Sequence, residues 1–151
     1  MYQEYTNKTF LISTDPAKLQ LEVIHGYLAQ EAYWAQEIPE AIVARAMQHS
    51  LNFGLYQAEK QIGYARIISD FATFAYLCDV FVLPNYRGQG LSKWLMTCIL
   101  AHPDLQGLRR IMLLTKDAQG LYAQFGFTTL ADASRCMEIA RPAIYKNKQP
   151  A

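Results

Sequence analysis

The most informative run of this 151-residue chain reads Val82-Leu83-Pro84-Asn85-Tyr86-Arg87-Gly88-Gln89-Gly90-Leu91-Ser92. It lies between the long apolar run Thr73–Leu83 and a segment, Leu91–Ile99, whose apolar residues have helical spacing. The pattern predicts a buried strand that ends in a glycine turn and leads directly into a helix. At such a turn several backbone N–H groups and the positive end of the helix dipole point to one place, which favours a phosphate.

Two well-known nucleotide-binding loops do not match this turn. A dinucleotide fingerprint needs a third glycine three residues after the second, and that position holds Lys93. A Walker loop needs Gly-Lys followed by Ser or Thr, and the sequence contains no such run. Taken alone, the pair Gly88 and Gly90 has a simpler interpretation, which is that the glycines only relieve steric strain at a strand-to-helix corner.

Length and composition indicate one globular domain over residues 1–151. Hydrophobic residues make up 52% of the chain and charged residues 18%, which is enough apolar material for a core. The formal net charge is +1 and no basic stripe is visible, so we expect no nucleic-acid partner. We find no signal peptide and no apolar run long enough to cross a bilayer, so we expect a cytoplasmic protein without a membrane partner.

Cysteine and histidine are the residues that most often mark a metal site or a disulfide framework. Three of each are scattered along the chain without the spacing of metal ligands, so we expect no metal. The cysteines lie in apolar stretches and are expected to be small buried residues in a reducing compartment.

Hydrophobic periodicity predicts the order of elements. Helical spacing covers Leu19–Leu28, Pro39–His49 and Leu91–Ile99. Asp117 is expected to cap a further short helix through Phe125, which Gly126 ends. Strand patterns cover Phe10–Ser13, Leu51–Ala58, Gln61–Ser69, Thr73–Leu83, Arg110–Thr115, Phe127–Leu130 and Cys136–Ala140. The order βααβββαβαββ predicts an α/β (α+β) fold with a mixed sheet of about six or seven strands and helices on both faces.

The glycine turn resembles the acyl-CoA pyrophosphate loop of the GNAT acetyltransferase superfamily. That loop has Arg or Gln, two residues, Gly, one residue, and then Gly or Ala. Arg87 and Gly90 match this pattern, and Ser92 departs from it at the last position. Because serine is small, we expect the backbone still to approach a phosphate, with some loss of affinity.

A second segment, Leu114–Phe127, is similar to the later cofactor segment of the same family. There a strand leads into a short helix that bears Leu-Tyr and is closed by Gly-Phe. The family often has an asparagine after that strand, where this chain has Thr115 and Asp117. The resemblance covers nearly the whole chain, and it implies a mostly antiparallel sheet in which Thr73–Leu83 and Arg110–Thr115 splay apart at one end.

The resemblance implies acetyl-CoA as the cofactor. Its pantetheine arm would lie in the gap between the splayed strands and bond to main-chain groups of Val80, Phe81 and Val82. The pyrophosphate would rest on the N–H groups of Arg87, Gly88, Gln89, Gly90, Leu91 and Ser92. Thr115, Asp117 and Tyr122 complete the expected cofactor contacts. For Arg87 the alternative is a solvent-exposed arginine at a helix start.

The resemblance also places a general acid at Tyr122, which would protonate the departing thiolate. The alternative for Tyr122 is a packed helix aromatic. Asp79 is the one carboxylate of the central strand and is either the base or an amine anchor, or else a buried hydrogen-bonding group or the partner of Arg66. Tyr76 on the same strand is a candidate for holding a proton-relay water.

The acceptor pocket is expected around Tyr33 and Trp34, as an aromatic wall for an amine or an apolar acceptor. The alternative is that these two rings plug the space between two helices. The expected substrate-binding residues are Tyr33, Trp34, Arg66, Tyr76 and Asp79.

We therefore predict an N-acetyltransferase that moves the acetyl group of acetyl-CoA to the primary amine of a small molecule, by direct attack in a ternary complex. Two alternatives stay open. One is a non-catalytic acyl-CoA-binding protein that regulates a partner, and the other is an acetyltransferase for protein N-termini or lysines. A monomer and a homodimer both fit the sequence.

Overall fold

Six strands form one sheet whose spatial order follows the chain. A computed structural model describes residues 1–146. The strands are β1 (Glu4–Asn7), β2 (Phe10–Ser13), β3 (Leu51–Gln57), β4 (Lys60–Ser69), β5 (Phe74–Val82) and β6 (Arg110–Leu113). All neighbours are antiparallel except β5 and β6, which are parallel. A parallel pair needs a crossover connection, which here contains a helix.

Four α-helices cover the two faces of the sheet. They are α1 (Leu21–Gln30), α2 (Glu40–Gln48), α3 (Leu91–Ala101) and α4 (Gln119–Ala123). The crossover helix α3 buries Leu95 and Ile99 in the core on one face. On the opposite face α1 and α2 bury Ile24, Leu28 and Val43. Within the described residues, no helix is both long enough and apolar enough to cross a membrane.

The alternation of side chains along β5 changes at Asp79, whose φ is +55°. Leu77 and Val82 both belong to the core under α3, and Phe81 belongs to the core under α1 and α2. In a regular strand residues 77 and 82 would point to opposite faces, because the side-chain period is two. The β4–β5 register shifts at this point, so one extra residue forms a bulge. The bulge keeps the Asp79 carboxylate out of the apolar core under α3.

The predicted order of elements is confirmed from Phe10 to Leu113, with boundaries that move by a few residues. The structure adds β1, which the sequence pattern does not predict because Glu4–Asn7 is short and mostly exposed. The predicted strands Phe127–Leu130 and Cys136–Ala140 are wrong, since the structure describes no strand in residues 127–146.

The missing strands have a physical explanation. Residues 128–144 are all exposed, so this segment has no sheet face against which alternating apolar residues could be buried. A 3-10 turn at Ala133–Arg135, capped by the Asp132 side chain, also interrupts the segment between the two predicted strands.

Candidate active site

The parallel strands β5 and β6 separate at one end of the sheet. They pair only over Phe74–Leu77 and Arg110–Leu113. Among the described residues, no backbone hydrogen bond joins residues 78–82 to residues 114–117. The structure thus places Val80, Phe81 and Val82 along an open strand edge, whose main-chain groups are available to an extended ligand.

The loop between β5 and α3 forms a hollow with backbone donors along it. Gly88 and Gly90 have φ of +81° and +77°, values that favour glycine. The first helical bond of α3 joins the N–H of Trp94 to the carbonyl of Gly90. Between Gly88 and Lys93, no backbone N–H has a hydrogen-bond partner in the part of the chain that the structure describes. A cavity of about 170 Å³ adjoins these donors, so the hollow suits an anion.

Two other residues of this loop are Gln89 and Ser92. The Gln89 side chain donates to the carbonyl of Tyr86 at 3.2 Å, which braces the turn. Ser92 and its neighbour Leu91 line the cavity at the start of α3. Of the predicted loop residues all but Gln89 line this cavity, and Gln89 bonds to Tyr86, which does.

Arg87 ties this loop to the rest of the protein. Its Nε donates to the carbonyl of Val82 at 2.9 Å, and its Nη2 donates to the hydroxyl of Tyr27 at 2.9 Å. Tyr27 in turn stacks on Phe81, with ring centroids 4.1 Å apart. The guanidinium is therefore engaged by the protein itself. Sequence reasoning missed Tyr27, because its helical spacing indicates only a core residue.

Tyr33 and Trp34, the aromatic bridge, connect the two sides of the gap. The hydroxyl of Tyr33 accepts from the N–H of Lys116 at 3.0 Å, on the loop after β6. The indole Nε1 of Trp34 donates to Asp79 Oδ1 at 3.0 Å, on β5. The two rings are 48% and 43% exposed, so they do not form a plug between helices. They lie across the mouth of the gap instead.

Asp79 is held by two donors. Its Oδ2 accepts from Arg66 Nε at 2.8 Å, and its Oδ1 accepts from Trp34. Arg66 is further fixed by Ser50, whose Oγ accepts from Nη1 at 3.1 Å. Burial lowers the pKa of Arg66, the charge of Asp79 raises it, and the net shift is upward. The interpretation of Asp79 as the partner of Arg66 is thus observed, and its role as a general base stays a prediction.

Tyr76 lies near this pair without bonding to it. Burial, and the neighbouring Cys78 and Asp79, raise the pKa of Tyr76, and Arg66 opposes this shift. In the described chain Tyr76 makes no hydrogen bond to Asp79, Arg66 or Trp34. Its predicted function of holding a relay water stays a prediction.

Tyr122 of α4 is 8% exposed and packs in the core under α3, with an edge contact to Phe127. Burial, with a smaller contribution from Tyr33, raises the pKa of Tyr122 to about 12. No hydrogen bond of the Tyr122 hydroxyl is found among the described residues, so its proton is free to donate to a ligand.

The segment after β6 differs in part from the sequence prediction. Thr115 Oγ1 accepts from the N–H of Ala118 at 3.1 Å and so braces the start of α4. The expectation that Asp117 caps this helix is wrong, since Ala118 is the N-cap residue and Asp117 is exposed. Gly126 ends the helix region with φ of +91°, as expected. Leu114, the first residue of the segment Leu114–Phe127, is 73% exposed where β6 ends and the gap begins.

A second cavity of about 170 Å³ lies on the α1–α2 face, beside Trp34. Its walls are mostly aliphatic and come from α1, α2 and the loop between them: Leu28, Ala35, Ile38, Val43, Ala46 and Met47. Its polar end is lined by Trp34, Tyr64, Arg66, Asp79 and Tyr145. A larger cavity of about 370 Å³ runs along the outer edge of β6, and Arg110 is the one charged residue in its lining.

Comparison with known proteins assigns the family. The model of the acetyltransferase (GNAT) family matches residues 21–127. The chain belongs to the GNAT acetyltransferase family. A Gibberella zeae protein named as an acetyltransferase is 34% identical over 144 residues, which cover 81% of this chain and 80% of that protein.

Solved structures agree with the assignment. A GNAT-family protein from Xanthomonas campestris pv. campestris is 52% identical to this GNAT acetyltransferase, with a TM-score of 0.89, and the match covers 91% of this chain and 96% of that one. A Clostridium acetobutylicum acetyltransferase solved with acetyl-CoA shares the fold at 12% identity, with a TM-score of 0.61 and coverage of 93% and 95%. The predicted fold class and the prediction of an N-acetyltransferase are therefore confirmed.

Proposed function

We propose that this GNAT acetyltransferase moves the acetyl group of acetyl-CoA to the primary amine of a small molecule, within a ternary complex. One juxtaposition carries the proposal. The open edge of β5 beyond Leu77 adjoins the hollow formed by the N–H groups from Gly88 to Lys93. The strand edge suits an extended chain that contains amides, and the hollow suits a diphosphate. Coenzyme A contains both groups, as its pantetheine arm and its diphosphate.

Residues of the chain would hold acetyl-CoA along this path. Val80, Phe81 and Val82 offer main-chain groups to the pantetheine arm, and the Gly88–Lys93 amides bind the diphosphate. When bound, acetyl-CoA supplies a thioester whose C–S bond is exchanged for a C–N bond, while one proton leaves the amine and one reaches the sulfur. The Clostridium acetobutylicum relative, solved with acetyl-CoA, supports the same cofactor here.

Tyr122 is the residue that we assign to the leaving sulfur. With a pKa of about 12, its phenol stays protonated at neutral pH. Complete transfer of that proton to a thiolate, whose thiol has a pKa near ~8.5, would be uphill by about 5 kcal/mol. Tyr122 therefore acts mainly as a hydrogen-bond donor that stabilises charge as it develops on sulfur, and the proton follows as the bond breaks.

Direct transfer is favoured over an acyl-cysteine route by the environment of Cys78. This thiol lies next to Asp79 on β5. Burial, and next the charge of Asp79, raise the pKa of Cys78 to about 12, against a smaller opposing effect of Arg66. A thiol with such a pKa is almost entirely protonated at neutral pH and is a poor nucleophile. The amine is therefore the group that attacks the acetyl carbon.

Asp79 has a positioning function in this proposal. Both of its carboxylate oxygens accept hydrogen bonds, from Trp34 and from Arg66. A base that must take a proton from the amine would have to compete with these donors. Asp79 instead holds one end of the aromatic bridge at the mouth of the gap.

The proposal is tested by calorimetry with CoA and by thiol release from acetyl-CoA with a panel of amines. We expect Tyr122→Phe to lower kcat by about 100-fold or more, with little change in the Kd for CoA. The matched control is Tyr56→Phe, which removes a buried hydroxyl that has no hydrogen-bond partner within residues 1–146. Folded protein that binds no CoA would overturn the proposal, and an unchanged kcat in Tyr122→Phe would overturn the assignment of that residue.

A further inference from the structure

We infer that the acceptor is a monoamine with one compact apolar group, about the size of a phenyl ring or a branched five-carbon chain. This group fills the cavity beside Trp34. The inference rests on the proposed function and names its substrate class. Three properties of the cavity carry it: its aliphatic walls, its volume and the charge state of its polar end.

The walls of the cavity select an apolar group. Six aliphatic side chains from α1, α2 and their connecting loop surround it, and none of them offers a hydrogen-bond donor or a strong acceptor. A hydroxyl or amide of the acceptor that entered this part would lose its water without gaining a partner. Sugars and peptide backbones are therefore disfavoured, and a hydrocarbon group gains from leaving water.

The volume limits the size of that group. The cavity measures about 170 Å³. An apolar cavity of roughly 150 Å³ accommodates one benzene molecule. A compact group of about five to seven carbon atoms therefore fills the space, a methyl or ethyl group leaves most of it empty, and a long unbranched chain does not fit.

The polar end of the cavity favours an acceptor with only one amino group. Among the residues that the structure describes, Asp79 is the one carboxylate that lines the cavity, and it is already paired with Arg66 and bonded to Trp34. The second ammonium of a polyamine would lie near the Arg66 guanidinium without a counter-charge, which is costly in a partly buried site. A carboxylate on the acceptor would have to compete with Asp79 for Arg66.

The same end directs the amine to the open strand edge. Trp34 and Asp79 belong both to the cavity lining and to the side of the gap. An acceptor whose apolar group fills the cavity therefore presents its nitrogen near the β5 bulge. Arg66 and Asp79 offset each other's charge, so this end offers no unpaired carboxylate that would hold the amine as an ammonium, and only the neutral amine attacks a carbonyl carbon.

The first measurement compares amines at saturating acetyl-CoA. We expect kcat/KM for benzylamine and 3-methylbutylamine to exceed that for ethylamine and for spermidine by at least tenfold. A preference for spermidine, or for a peptide with a free N-terminus, would overturn the inference and leave the proposed function in place.

The second measurement fills the cavity with Ala46→Leu, since Ala46 lines it from α2. We expect KM for benzylamine to rise tenfold or more, and the ratio of kcat/KM for benzylamine to kcat/KM for ethylamine to fall at least fivefold. The control is Ala41→Leu, an exposed position on the same helix outside the cavity lining, which should change neither value. Equal effects of Ala46→Leu on both amines would overturn the inference.

Calorimetry with benzylamine in the presence of CoA distinguishes a failure of the proposed function from a failure of the proposed acceptor class. Binding to the wild-type chain that Ala46→Leu weakens tenfold, with no thiol release for any amine, would refute the proposed function and support the cavity as a binding site. Absence of benzylamine binding, together with turnover of hydrophilic amines, would refute only the acceptor class.

Discussion

The substitution Gly90→Ala, which adds a single methyl group, tests the proposal that the hollow binds the diphosphate. Gly90 has φ of +77°, and apart from its chain neighbours no atom lies within 4 Å of the position that a Cβ would occupy. Gly90→Ala therefore meets no clash in the protein, and its effect on folding is backbone strain of about 1 kcal/mol. For a chain of this length, such a loss lowers Tm by about 2–4 °C.

The effect of Gly90→Ala on ligand binding should be larger than its effect on folding. Alanine can relieve the strain only by rotating the backbone, and this rotation turns the neighbouring N–H groups away from the hollow. Hydrogen bonds to a charged group contribute about 1.5–3 kcal/mol each. Loss of one such bond raises the Kd for CoA by roughly 10-fold to 150-fold.

The assay combines isothermal titration calorimetry with CoA and thermal unfolding followed by circular dichroism. Gly107→Ala is the matched control, because Gly107 has φ of +75° and equally open surroundings but lies in the turn before β6. Both variants should lose the same few degrees in Tm, and only Gly90→Ala should bind CoA more weakly. Equal Kd values in the two variants would refute the assignment of the hollow.

Two further predictions concern Tyr122 and Asp79. In the proposed function the protonated Tyr122 phenol is the active form. Because burial raises its pKa to about 12, kcat should show no fall from this residue between pH 7 and 10. A falling limb near pH 10 that vanishes in Tyr122→Phe would contradict this. Asp79→Asn keeps a residue type that tolerates a φ of +55°. It leaves the largely buried Arg66 without a counter-charge, so the free energy of unfolding measured in urea should fall by about 2–3 kcal/mol. Wild-type stability combined with lost activity in Asp79→Asn would indicate a catalytic base instead.

Features that depend on neighbouring residues in the chain were predictable from the sequence. The left-handed turn at Gly88 and Gly90 follows from the conformational freedom of glycine. Helix α3 follows from the spacing of its apolar residues, and the buried strand β5 follows from a continuous apolar run. Together these features place a hollow lined by backbone N–H groups at the end of a strand, which is most of the proposed cofactor site.

Features that depend on which surfaces meet required the tertiary structure. A bulge shifts the alternation of the β5 side chains between the two faces of the sheet. Only this shift brings Asp79 to Trp34 and Arg66. The contact of Tyr33 with Lys116 joins residues that are 83 positions apart in the chain. Residues 136–140 have the composition of a strand, yet none forms because no sheet face receives them. Local propensity sets the conformations open to a segment, and burial against distant partners selects among them.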